Sequence, residues 1–173
     1  MTALQEEARR LGGHCWLELQ LFEIAGRWVP GTSDRHAKLA LDRHSGHSAW
    51  RAGQWEERLP VLAGVDRQGL VEAPDEGWRR CCAQLAELDD TVARLVGLYR
   101  VVLPRLAVRY RAHLAASSPS TDAPTRRTLR MALADLSADR DEGDDVVFSV
   151  LEVRPAIETA AAVVAQLESV FSG

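Results

Sequence analysis

Two histidines and a handful of acids carry the chemistry available to this chain. His44-Ser-Gly-His47, followed by Trp50, sets two imidazoles three residues apart, a spacing that puts both on one side of a helix. Glu18 interrupts an apolar stripe upstream, Asp89 interrupts a later one, and Asp135 lies toward the edge of its own. Carboxylates and imidazoles converging from different helices of a bundle make a metal site. Tyr99 lies on its own apolar stripe and would line the same interior, with Trp50 shaping an aromatic wall. The same residues also have plainer roles. His44 and His47 sit in a polar run, 43–48, of the kind found on a helix surface, and Asp89 beside Asp90 resembles a solvated face. Glu18, at a core-facing position, otherwise needs a cationic partner, for which Arg43, Arg51, Arg100 and Arg109 are available.

The elements that must position these groups read as helices almost throughout. Residues 2–25 carry Leu4, Ala8, Leu11, Cys15, Phe22 and Ala25 at helical spacing, with Glu18 in the remaining slot. Gly12-Gly13 marks a candidate break, since each glycine costs about 1 kcal/mol against alanine. Residues 26–33, with Pro30-Gly31, form a turn. Ser33 or Asp34 then caps a second helix to about residue 58, which Pro60 ends. Residues 59–77 read as a long irregular connection. A third helical region runs from near Asp75 to about Ala116 with Leu85, Asp89, Val92, Val96, Tyr99, Leu103, Leu106 and Tyr110 on one stripe. Pro104 inside it predicts a kink or break.

Residues 117–124 are a loop, and a fourth helix opens at Pro124 or Thr125 and runs to about Arg140. The acidic run 139–145 reads as a boundary or bend. Residues 146–153 suit a short strand or more helix; helix is preferred, because a lone strand has nothing to pair with. Pro155 opens a last helix to about Phe171, with Ile157, Ala161, Val164, Leu167 and Phe171 facing in. The short turn makes helices one and two antiparallel neighbours, while the long second connection is a crossover.

Composition narrows the function. The 173 residues suit one domain, 1–173, with a full-sized core. A net charge of −4 with no basic stripe argues against nucleic acid as partner. No stretch approaches the roughly 20 apolar residues of a membrane span, and residues 1–10 do not read as a signal peptide, so a cytoplasmic protein is expected. Cys15, Cys81 and Cys82 fit buried reduced thiols better than a disulfide or zinc set. There is no Gly-rich phosphate loop, G-x-S-x-G elbow or H-E-x-x-H helix.

Helix order, the crossover and the placed residues make the chain, over residues 11–140, resemble the ferritin-like superfamily of helical bundles. The resemblance implies an all-α, ferritin-like four-helix bundle with one long crossover plus an additional C-terminal helix. Di-iron members set one carboxylate on the first helix, Glu-x-x-His on the second, a carboxylate on the third and another Glu-x-x-His on the fourth. Glu18, His47, Asp89 and Asp135 match four of those places, while His44 stands where the family has an acid and Ala138 where it has a histidine. The implied metal ligands are Glu18, His44, His47, Asp89 and Asp135, with Tyr99 and Trp50 lining the pocket. Two functions follow. One is an iron-dependent oxidase or oxygenase with one or two ions, acting on a small molecule. The other is a metal-free ferritin-like relative serving as a partner-binding or structural protein, with a homodimer surface on the last helix. The DinB-like bundles, with one metal on three histidines, are a second resemblance, for which His14, His36 or His113 would have to converge with His44 and His47.

Overall fold

The computed structural model describes residues 2–61, 66–151 and 154–172, with the backbone alone at 154 and 155. Helix α1 (Ala3–Trp28) opens on a capping box, in which Thr2 and Gln5 satisfy each other's backbone N–H groups. Asp34 caps α2 (Arg35–Arg58) through the Ala37 N–H at 2.7 Å. The crossover contains one 3-10 turn, Gln68–Leu70. Then follow α3 (Glu76–Ala86), α4 (Thr91–Val96), a π-helical segment (Gly97–Val102), α5 (Leu103–Ala116), α6 (Ala123–Val150) and α7 (Arg154–Ser169). Among the described residues every regular element is helical, and no helix is long and apolar enough to cross a membrane.

The third helical region is thus divided. Asp90 accepts the Ala93 N–H at 2.9 Å and starts a fresh helix, while Arg94 ties the preceding turn through the Leu88 carbonyl. The aspartate offers the backbone a bond that competes with continuing the helix. The expected disturbance at Pro104 takes the form of the π segment just before it, after which the helix runs on. Gly12-Gly13 does not break α1. A Cβ at Gly12 would lie 1.9 Å from the Leu70 carbonyl oxygen, so the glycine lets the crossover backbone lie directly on α1.

Two boundary expectations are corrected on α6. The acidic run is neither boundary nor bend, because helix continues through it to Val150. Its acids are drawn to cations of other helices: Asp139 to Arg51, Glu142 to Arg43 and Asp144 to Arg100. Residues 146–150 are helix, as preferred, and 152–153 lie outside the described residues.

Helices α1 and α2 pack along their length as antiparallel neighbours; α6 packs on α2 and α5, and α7 on α4 and the π segment. Leu17, Leu21, Trp28, Trp55, Leu95, Leu106, Leu129 and Leu136 lie in one contiguous buried cluster that α7 joins through Val163 and Leu167, with Val170 just after it. Of the expected inward stripe, Leu167 is buried and Val164 and Phe171 pack against the core, while Ile157 and Ala161 face out. A helix with alanine and valine on nearly every side does not declare its phase. Phe22 and Trp50, likewise, are exposed.

Candidate functional site

The interior of the bundle is ionic. On α2, His44, His47, Ser48, Arg51 and Trp55 recur at helical spacing on the face toward α6 and α1. The Arg51 guanidinium lies at the centre and is 1% exposed, between Glu18 of α1 at 0% and Asp139 of α6 at 2%. Its Nε donates to Glu18 Oε1 at 2.8 Å, its Nη1 to Asp139 Oδ2 at 2.8 Å and its Nη2 to Ser48 Oγ at 3.1 Å. Burial works against the charge on Arg51, but the two carboxylates outweigh it and hold the group more firmly protonated than usual. Glu18 Oε1 also accepts from the Tyr110 hydroxyl at 2.7 Å, and that oxygen in turn accepts from Trp55 Nε1 at 2.9 Å. Burial, then the Glu18 charge, pushes the Tyr110 phenol well up, so it stays a donor.

Toward solvent the network divides. His47, 46% exposed, sets Nδ1 2.6 Å from Asp139 Oδ1. His44 is buried, with Nε2 3.0 Å from Glu142 Oε2 and Nδ1 2.7 Å from the Tyr99 hydroxyl. A carboxylate can only accept, so His44 is protonated at Nε2 and its Nδ1 accepts from Tyr99. Burial lowers the His44 pKa, against Asp139 and Glu142, while Tyr99 is raised by burial and by the same two acids. Tyr99 reaches this position because α6 carries Gly143 opposite it. A Cβ there would lie 2.1–2.4 Å from the Tyr99 ring atoms.

A second buried string starts at the other end of α1. Glu7 accepts from His113 Nε2 at 3.1 Å, and His113 Nδ1 lies 2.9 Å from His14 Nε2. His113 Nδ1 must then be the acceptor and His14 Nε2 the donor, which leaves the His14 Nδ1 lone pair buried without a partner among the described residues. Burial first, then Arg109, His113 and Arg10, lowers the His14 pKa well below the ordinary imidazole value. Its ring packs on Trp55 and Tyr110 at 4.9 and 4.7 Å between centroids, which brings this string against the ionic core. The three cysteines are buried outside these networks; burial raises Cys15 and Cys81 to about 11.

Of the residues singled out in the sequence, the structure brings together Glu18, His44, His47 and Tyr99. Asp89 stands at the surface beside Arg94, and Trp50 is exposed while Trp55 takes the interior place. Asp135 is half-buried one turn before Asp139, the α6 acid that reaches the core. Asp139, Glu142, Tyr110, His14 and His113 were not singled out as a set. The available signal was the spacing of Arg51, four residues after His47 and seven after His44, and of Asp139, four after Asp135. Among the described residues, no group of three or more His, Cys, Asp or Glu side chains is arranged to hold a metal ion. Comparison with family models, curated proteins and solved structures finds no match to the chain.

Proposed function

We propose that this chain is a ferritin-like bundle in which an arginine replaces the di-metal centre, and that it acts as a partner-binding or structural protein. The observation that carries this reading is Arg51, buried between Glu18 and Asp139 with a hydrogen bond to each. Two carboxylates from different helices need positive charge between them, and here a side chain supplies it. The donor set does not fit a di-iron centre. Glu18 Oε1 is taken by Arg51 and Tyr110, Asp139 Oδ2 by Arg51, and Asp89 stands outside.

The second reading, an iron-dependent oxidase or oxygenase acting on a small molecule, has one observation in its favour. His44, His47, Asp139 and Glu142 are linked by contacts of 2.6–3.7 Å at the solvent end of the network. Metal analysis of protein from iron-supplemented cells separates the two. The proposal expects well under one ion per chain, and a melting temperature that added ferrous iron leaves unchanged. One or two tightly held ions per chain, lost in His47→Ala, would overturn it. Light scattering on the same sample reads whether the chain forms a homodimer.

A further inference from the structure

A cleft of about 460 Å3 lies where α5, the π segment, α3 and the C-terminal end of α7 meet. It shares no residue with the ionic core. Trp78 and Phe171 meet edge to face at 5.2 Å on one wall, and Pro104 and Val108 form another. Two guanidinium groups border it, and they differ. Arg105 is committed: it pairs with Glu168 through two nitrogens and lies 4.0 Å above the Phe171 ring. Arg109, one turn on, makes no hydrogen bond or ion pair with a described residue, and its Nε is buried without a partner. Its Nη2 is accommodated beside Gly13, where a Cβ would come within 3.2 Å of it. The strongest opposing charge on Arg109 is Asp75, but that carboxylate caps α3 through the Trp78 N–H at 2.9 Å. Burial lowers the Arg109 pKa, and Asp75, which makes no ion pair with it, offsets that only in part while Arg10 adds to it.

A half-buried guanidinium without an anion is costly, and a ligand carboxylate fits its planar fork. The volume is that of a small-molecule site, and the apolar walls ask for an apolar body. One uncommitted cation, with Glu168 on the rim, favours a single negative charge over a phosphate or dicarboxylate. We propose that this cleft binds a small amphipathic monocarboxylate, its carboxylate on Arg109 and its aromatic or short aliphatic body against Trp78, Val108 and Phe171.

Calorimetric titration with 3-phenylpropanoate and octanoate, against 3-phenylpropanamide as the uncharged isostere, tests this on the full chain. Saturable binding of either acid is expected, with the amide weaker by roughly 10-fold or more, the weight of a charge-assisted hydrogen bond. Arg109→Gln should lose the same factor without lowering the melting temperature, because it breaks no ion pair with a described residue. Val108→Glu, at an exposed wall position, should also weaken the acids without touching the core. Equal affinity for 3-phenylpropanoate and its amide, unchanged binding in Arg109→Gln, or no saturation by either acid up to about 10 mM would overturn the proposal.

Discussion

Replacing Arg51 by methionine gives the sharpest check on the ionic core. Methionine fills much of the same space but leaves Glu18 and Asp139 facing each other's helix without a counter-charge. With all three groups at most 2% exposed, solvent does not screen the loss. Removing one partner of a buried pair costs about 3–5 kcal/mol, a large share of the roughly 5–15 kcal/mol that holds a domain of this kind. For a chain of this length that amounts to a fall in Tm of about 6–20 °C. Urea unfolding at pH 7 would read it as a lowered midpoint with an unchanged slope.

A further measurement separates charge from packing. Adding Glu18→Gln and Asp139→Asn to Arg51→Met removes the uncompensated carboxylates and should recover at least half of the loss. A deficit below about 1 kcal/mol, or one that the added substitutions do not reduce, would refute the reasoning.

Two other outcomes follow from the same geometry. Gly143→Ala forces Tyr99 off α6 and should cost about 1–3 kcal/mol, whereas Gly46→Ala and Gly53→Ala, which meet nothing within 4 Å, should each gain about 0.5–1 kcal/mol; calorimetric melting of the three variants compares them. His14 is buried neutral with a lowered pKa, so below about pH 6.5 the unfolded chain takes up a proton that the folded chain refuses. Its contribution to stability is therefore complete above that pH and is lost as the pH falls toward the folded value, by up to about 1.4 kcal/mol per pH unit. In His14→Gln the slope of stability between pH 6.5 and 5.5 should flatten; an unchanged slope would assign it elsewhere, His44 being the other lowered imidazole.

The helical class, the α1–α2 turn and the long crossover were legible because apolar spacing, prolines and caps are local signals. Glu18 was legible as well, since an acid at a core-facing position requires a partner, and Arg51 was among the four arginines available to it. What local spacing could not give was the choice among those partners. Arg43, Arg51, Arg100 and Arg109 are equivalent in sequence, yet the structure sends them to Glu142, to Glu18 and Asp139, to Asp144 and to the cleft beside Trp78 and Phe171.

The acids divide in the same way. Asp89, Asp135 and Asp139 all fall within reach of a helical stripe, and only the depth and rotation of α6 against α2 place Asp139 rather than Asp135 beside Arg51. Gly143, one turn after Asp139, lies against the Tyr99 ring of the π segment, a long-range contact that no helical period announces. The sequence by itself therefore determined the elements and the presence of buried charge. Tertiary packing decided which charges meet, because the energy of a buried ion depends on a neighbour from another helix, and local pattern carries no information about that neighbour.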